Sequence, residues 1–197
     1  MKKNVVEVKN LKIREITVPI KGTSPLIVHA FSEKAKKQIE DNQQKKAKNS
    51  KHDTRDPQEE FEQAKHKSPL GFEGFPAAGF KAAMIRGAKI VGMVMKDVQT
   101  AFFVLPDCEE TQLVAIEGKP ELHESMVRIG TGSADVRYRP IYKEWKAKLR
   151  IEYNEGSISV DQLYQLISAA GYGCGIGEMR PEKGKFSYGK WEFDDIK

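Results

Sequence analysis

Alternating apolar and polar residues predict strands at several points along the chain. In "IREITVPI", the residues Ile16, Val18 and Ile20 recur at every second position, which is the period of a half-buried strand. "WKAKLRIEY" repeats this pattern, and "KFSYGKWEF" predicts a closing strand whose aromatic residues are divided between its two faces. The shorter runs "AFFVLP" and "LVAIEG" predict two more strands.

After the first predicted strand, apolar residues recur at the spacing of a helix. In "GFPAAGFKAAMIRGAKIVGMVM", Phe80, Ala83 and Met84 recur at helical spacing behind Pro76, a residue that suits a helix start. "FSEKAKKQIED" predicts a short basic helix after Ser32. We therefore expect a closely packed amphipathic helix after the first strand, together with a smaller basic one.

A further helix is predicted in "SVDQLYQLISAAGYG". Ser159 is its N-cap, Gln162 stands at the capping-box position, and Gly171 is the expected stop. The order strand, helix, strands, helix, strand predicts an α+β fold, an antiparallel sheet with helices on one face. The length of 197 residues suits a single domain over residues 1–197.

A polar insertion interrupts this pattern at about residues 40–68. It contains one large apolar residue, Phe61, and seven Lys or Arg balance seven Asp or Glu. Such a segment buries too little surface to fold alone. We expect a flexible, partly helical insertion that becomes ordered against a partner; a solvated loop fits equally well.

Charge and cysteine content narrow the class of protein. Lys and Arg number 33 against 28 Asp and Glu, a net charge of +5 that favours an anionic partner. Cys108 and Cys174 have no zinc-ligand spacing, so we expect reduced thiols, no metal and no cofactor. No run of 18 apolar residues and no signal peptide occurs, which predicts a cytoplasmic protein without a membrane partner.

The segment "GYGCGIGEMRPEKGKFSYGKWEF" holds six glycines, four cations and five aromatic rings. Glycines allow backbone N–H groups to approach phosphates, and rings stack on unpaired bases. The alternative is a tight hairpin with its rings in the core, which we prefer for the last two rings. The nucleic-acid-binding candidates here are Arg180, Lys183, Gly184, Lys185 and Tyr188.

A second basic segment, "SMVRIGTGSADVRYRPIYKEWKAK", interleaves cations with aromatic residues. Arg137, Tyr138 and Arg139 are its binding candidates, and a solvated loop before a strand is an equal alternative. Lys81 and Arg86 on the first long helix complete the candidate set, against the simpler interpretation that helix cations face solvent.

Three stretches resemble the RAMP superfamily (repeat-associated mysterious proteins), whose members include backbone subunits of CRISPR effector complexes. "ITVPIKGTSPLIVHAF" resembles its opening strand and Pro-Leu turn, and "GIGEMRPEKGKFSYGKWEF" its terminal glycine-rich hairpin. "FPAAGFKAAMIRGA" is similar to its helix start, with Pro76, Lys81 and Arg86 at the Pro, Lys and Arg positions. The resemblance implies a ferredoxin-like or RNA-recognition-motif-like core with a thumb-like loop in the second basic segment. A free-standing or phage-borne relative fits as well.

Together these features predict a subunit that binds single-stranded nucleic acid without sequence preference, with RNA favoured over DNA. We expect it to assemble side by side along the strand, as a homo-oligomer or within a multi-subunit nucleoprotein complex. A phage-type single-stranded DNA-binding or annealing protein is one alternative, and a protein that only joins protein partners is another. An RNA endonuclease is a third, with Asp53 or Asp56 as nominal candidates; the four histidines are isolated in sequence, and we assign no catalytic residue.

Overall fold

The computed structural model describes residues 11–31, 56–129 and 133–194. Two irregular turns follow the last helix: a π-helical turn at Ala170–Cys174 and a 3-10 turn at Pro181–Lys183. In chain order the elements are β1 (Ile13–Gly22), β2 (Leu26–Ile27), α1 (Pro57–Gln63), β3 (Gly74–Pro76), α2 (Ala77–Gly87), α3 (Met95–Ala101), β4 (Phe102–Leu105), β5 (Leu113–Ala115), β6 (Pro120–Ile129), β7 (Ser133–Tyr142), β8 (Lys146–Asn154), α4 (Val160–Ala169) and β9 (Trp191–Phe193).

The central sheet has four antiparallel strands in the order β4-β8-β1-β9. Its long pair runs in register from Ile13 opposite Asn154 to Lys21 opposite Lys146. With α2 after β1 and α4 after β8, these elements follow one another as β-α-β-β-α-β, the ferredoxin-like arrangement. The predicted α+β fold class is confirmed.

The core lies between this sheet and the helices α2 and α4. Val18 and Leu149 face one another on the sheet and have no exposed surface, as does Phe80 on α2. Each such side chain contributes roughly 1.5 to 3 kcal/mol on burial. The ring of Trp191 is buried and packs edge-on at 5.9 Å from that of Phe80, and Phe193 packs on the core, as predicted for the last two rings.

A second sheet, β2-β7-β6, carries the second basic segment. The strands β6 and β7 pair from Pro120 opposite Tyr142 to Ile129 opposite Ser133, and the short β2 joins β7 at its base. The expected thumb-like loop is therefore largely a regular β-hairpin, in which each of the two strands has ten residues.

Part of the expected insertion is ordered against the domain itself. The Asp56 carboxylate accepts hydrogen bonds from the N–H groups of Gln58 and Glu59 and starts α1, which packs against β7. Phe61 is buried, so one large ring is enough to anchor this helix. For residues 56–68, the expectation that the insertion becomes ordered only against a partner is therefore wrong. Residues 32–55, with the predicted basic helix and Asp53, lie outside the described residues.

The glycine-rich C-terminal segment differs from the predicted hairpin. The helix does not stop at Gly171; it continues as the π-helical turn, and Gly175 ends it with a φ of +66°. The predicted strand over 185–193 is confined to β9, because the Tyr188 and Gly189 N–H groups donate to Met179 and Pro25 instead of to the sheet.

Candidate nucleic-acid interface

Residues 23–30, the connecting segment, hold the two predicted basic segments side by side. On one side, Leu26 and Ile27 pair with β7. On the other, the Glu178 N–H donates to the Ile27 carbonyl at 2.8 Å and the Gly189 N–H to the Pro25 carbonyl at 2.7 Å. The glycine-rich segment and the β6–β7 hairpin are thus neighbours in space, although about 40 residues separate them in sequence.

The glycines of the C-terminal segment serve contacts within the chain. At Gly177 the φ is +75°, and a Cβ atom there would lie 2.3 Å from the carbonyl oxygen of Ile27. The N–H groups of Ile176, Glu178 and Gly189 all donate to carbonyls of the protein. The expectation that these N–H groups bind phosphates is therefore wrong; the close approach is to the connecting segment.

Glu182 ties two of the predicted binding arginines into the structure. Its carboxylate accepts a 2.9 Å hydrogen bond from Arg180 Nε and lies 2.6 Å from Arg86 Nε. Arg180 also donates to the Gly177 carbonyl at 3.0 Å, and its side chain is only 22% exposed. Arg180, a predicted binding residue, is therefore largely occupied by contacts within its own loop.

The cations that follow Arg180 reach the surface. Lys183 is exposed and lies 3.6 Å from Glu178; Gly184, Lys185 and Phe186 are exposed beside it, whereas Tyr188 is half-buried. The glycine-rich segment thus retains its charge mainly at its outer turn.

An exposed ring stands at the start of the same segment. Tyr172 is 74% exposed, and Lys190 Nζ lies 4.9 Å from its ring centre. A ring of this kind with a cation beside it is a suitable surface for stacking an unpaired base. The connecting segment runs near this ring, since the Thr23 N–H donates to the Lys190 carbonyl.

Within the hairpin, the structure separates the three candidates onto two faces. Arg137 and Arg139 share one face of β7, and Tyr138 lies on the other because side chains alternate along a strand. Arg137 Nε lies 2.7 Å from an Asp135 carboxylate oxygen. Arg139 is 7% exposed, and burial lowers its pKa, with Glu178 acting in the opposite direction.

Two histidines, which the sequence analysis treated as isolated, lie near this group. Burial lowers the pKa of His29 although one side of the ring is exposed, and the positive charge of Arg139 lowers it further. Burial, followed by His29, lowers the pKa of His66 to about 4. No local spacing in the sequence signals this proximity, because His29 precedes the insertion and His66 lies near its end.

Lys81 is not brought to this surface. Its Nζ lies 3.8 Å from the centre of the Phe103 ring, on β4. That strand is at the opposite edge of the sheet from β9, to which the glycine-rich segment leads. Burial lowers the pKa of Lys81, and the cation–π contact accounts for its position without a ligand.

The face of the central sheet that points away from the helices carries many charged side chains, but carboxylates neutralise its cations. Its cations lie close to carboxylates at the pairs Arg150–Glu15 (3.5 Å), Lys146–Asp194 (2.7 Å), Lys148–Glu117 (3.9 Å) and Lys21–Glu192 (3.4 Å). The candidate interface is therefore the surface along the connecting segment and not the open face of the sheet.

The nominal catalytic position Asp56 serves as a helix cap. Across residues 11–31, 56–129 and 133–194, no group of three or more His, Cys, Asp or Glu side chains is arranged to hold a metal ion. No helix in those ranges is long and apolar enough to cross a membrane.

Comparison with known proteins finds similarity among solved structures. No family model and no curated protein matches the chain. The crystal structure of Cmr6 from Pyrococcus furiosus is similar with a TM-score of 0.46 and 10% sequence identity, over 94% of this chain and 100% of that one.

Proposed function

We propose that this protein binds single-stranded nucleic acid, with RNA favoured, through backbone contacts along the connecting segment. The observation that carries the proposal is that the connecting segment holds the glycine-rich segment and the hairpin side by side. The glycine-rich segment exposes Tyr172, Lys183 and Lys185, and Lys190 lies half-buried at the Tyr172 ring. The eight residues of the connecting segment give seven steps of at most about 3.3 Å, so they span roughly 20 Å, enough for a few nucleotides.

The physical basis is charge with stacking and without base-edge recognition. Lysines attract phosphates irrespective of sequence, and Tyr172 and Phe186 offer exposed rings that accept any base. We assign no catalytic function to these groups.

Fluorescence anisotropy with labelled single strands tests this proposal. Affinity should fall steeply as salt rises from about 50 to 200 mM, and several base compositions should bind alike. Reversing both charges in the Lys183→Glu, Lys185→Glu variant should weaken binding by about tenfold or more. The matched control is Lys21→Glu, Lys148→Glu, because it reverses the same number of charges on the neutralised sheet face. Salt-independent binding, or equal loss in the control, would contradict the proposal.

We further propose that copies bind side by side along one strand. A surface of about 20 Å gives modest affinity alone, and adjacent subunits add their contacts. Sedimentation with oligonucleotides of increasing length should show bound mass rising in steps of one subunit. One protein per oligonucleotide at every length would exclude this assembly. Matched RNA and DNA strands in competition decide between RNA and the single-stranded DNA alternative.

A further inference from the structure

One face of the β6–β7 hairpin gathers hydrogen-bond donors. Ser125 lies directly opposite Arg137 in the register, and Arg139 follows two residues later, so the three side chains share a face. Ser125 is 8% exposed and Arg139 7%. This face is therefore largely removed from solvent, unlike the lysines of the glycine-rich segment.

Two of these three side chains, Ser125 and Arg139, carry donors that lack acceptors inside the described part of the protein. Within the described part of the chain, Ser125 Oγ and Arg139 Nε are buried without a hydrogen-bond partner, and no carboxylate lies within ion-pair distance of Arg139. The two carboxylates that act on its pKa contact other cations: Asp135 contacts Arg137, and Glu178 contacts Lys183. A buried guanidinium Nε–H and a buried hydroxyl without partners are costly, and such groups are rare unless something else satisfies them.

The chemistry of these groups defines the missing partner. A guanidinium has only donors, arranged as a planar fork that matches two oxygens of an oxyanion, and a hydroxyl adds another donor. The positive charge here also lowers the pKa of His29, which borders the same face. An acceptor-rich anion satisfies all of these groups at once.

We propose that Ser125, Arg137 and Arg139 form a binding site for one phosphate group, and that this phosphate is a phosphodiester of the bound single strand. The second part rests on the function proposed above, whereas the first does not. Arg139 supplies most of the attraction. Ser125 orients the anion, and Arg137 shares its charge between Asp135 and the ligand.

Thermal melting in phosphate tests the site without nucleic acid. Sodium phosphate is compared with sodium chloride at equal ionic strength, for the natural chain and for Arg139→Met. Phosphate at about ten times its Kd should raise the Tm of the natural chain by about 3 to 5 °C. It should leave Arg139→Met unchanged, and this variant should melt in chloride at or above the natural chain, since an unpaired buried charge is removed.

A matched control makes the same substitution elsewhere. Arg150→Met removes a guanidinium from the outer face of the central sheet, where Nε lies 3.5 Å from Glu15. Its phosphate response should persist. If Arg139→Met fails to fold, Ser125→Ala decides: loss of about half of the phosphate shift, as expected for a severalfold weaker Kd, supports the site, and an undiminished shift overturns it.

Oligonucleotide binding tests the link to the strand. Arg139→Met should weaken binding by about tenfold to a hundredfold, with Ser125→Ala giving a severalfold loss. The slope of log K against log salt should shrink by about one in Arg139→Met. A phosphate shift without any oligonucleotide binding would refute the proposed function and leave the phosphate site standing. Normal oligonucleotide affinity in Arg139→Met, with a phosphate response equal to that of the natural chain, would overturn the site.

Discussion

The partly buried imidazole of His66 should make the stability of this protein depend on pH. The ring packs edge-on to Phe75, with 5.9 Å between ring centres, and burial lowers its pKa to about 4. The ordinary value is 6.5. Between these two values the unfolded chain takes up a proton at His66 that the folded chain does not.

The sign and size follow from proton linkage. Because the unfolded state binds more protons in this window, the free energy of unfolding rises with pH up to about 6.5 and is lost as pH falls toward about 4. A difference of one pKa unit corresponds to about 1.4 kcal/mol. Protonation of His66 in the unfolded chain should therefore lower the free energy of unfolding by about 2 kcal/mol at pH 5. That is a large share of the roughly 5 to 15 kcal/mol that stabilises a typical domain.

Urea unfolding at a series of pH values measures this effect. The natural chain and His66→Gln should differ by a constant free energy above pH 7. Below pH 6.5 the natural chain should lose about 2 kcal/mol by pH 5 relative to the variant. NMR titration of the His66 ring in the folded protein, and of the same ring in urea, gives the two pKa values directly. A difference that stays constant down to pH 4.5, or a folded pKa near 6.5, would refute the reasoning.

The remaining predictions concern local geometry. Gly177→Ala should destabilise the fold by about 3 kcal/mol or more, because the added Cβ would lie 2.3 Å from the Ile27 carbonyl oxygen at a positive φ. Gly184→Ala, which also has a positive φ but has no neighbour within 4 Å, should cost only about 1 kcal/mol in the same urea unfolding series. Ser159→Ala should cost about 1 kcal/mol by removing the hydrogen bond that the Ser159 hydroxyl accepts from the Gln162 N–H, while the bond from the Ser159 backbone N–H to the Gln162 side chain is kept; equal midpoints for variant and natural chain would contradict this.

Elements whose signal is local were predicted well from the sequence. The alternation in β1 and β8 was sufficient because one face of each strand is buried and the other is not. The capping box at Ser159 is confirmed because both of its partners lie within three residues of each other. In such cases the periodic pattern and the tertiary structure impose the same arrangement.

Features that depend on distant contacts were missed. Residues 185–190 alternate like a strand, yet the connecting segment takes the Gly189 N–H and prevents pairing with the sheet. The alternation along β7 puts Arg137 and Arg139 on one face, but only the register with β6 puts Ser125 beside them. Register is set by non-local packing, so the pattern of one strand does not contain it.

The arrangement also changes the role of the glycine-rich segment. Its glycines admit the connecting segment, and Arg180 and Glu182 fix the loop. In the proposed binding mode, the segment would therefore contribute mainly by holding Lys183 and the hairpin face in fixed relation. A surface fixed in this way has already lost its conformational freedom on folding, so binding a strand costs less entropy than ordering a flexible glycine loop would. It follows that a loosened loop should weaken binding even when every lysine is kept.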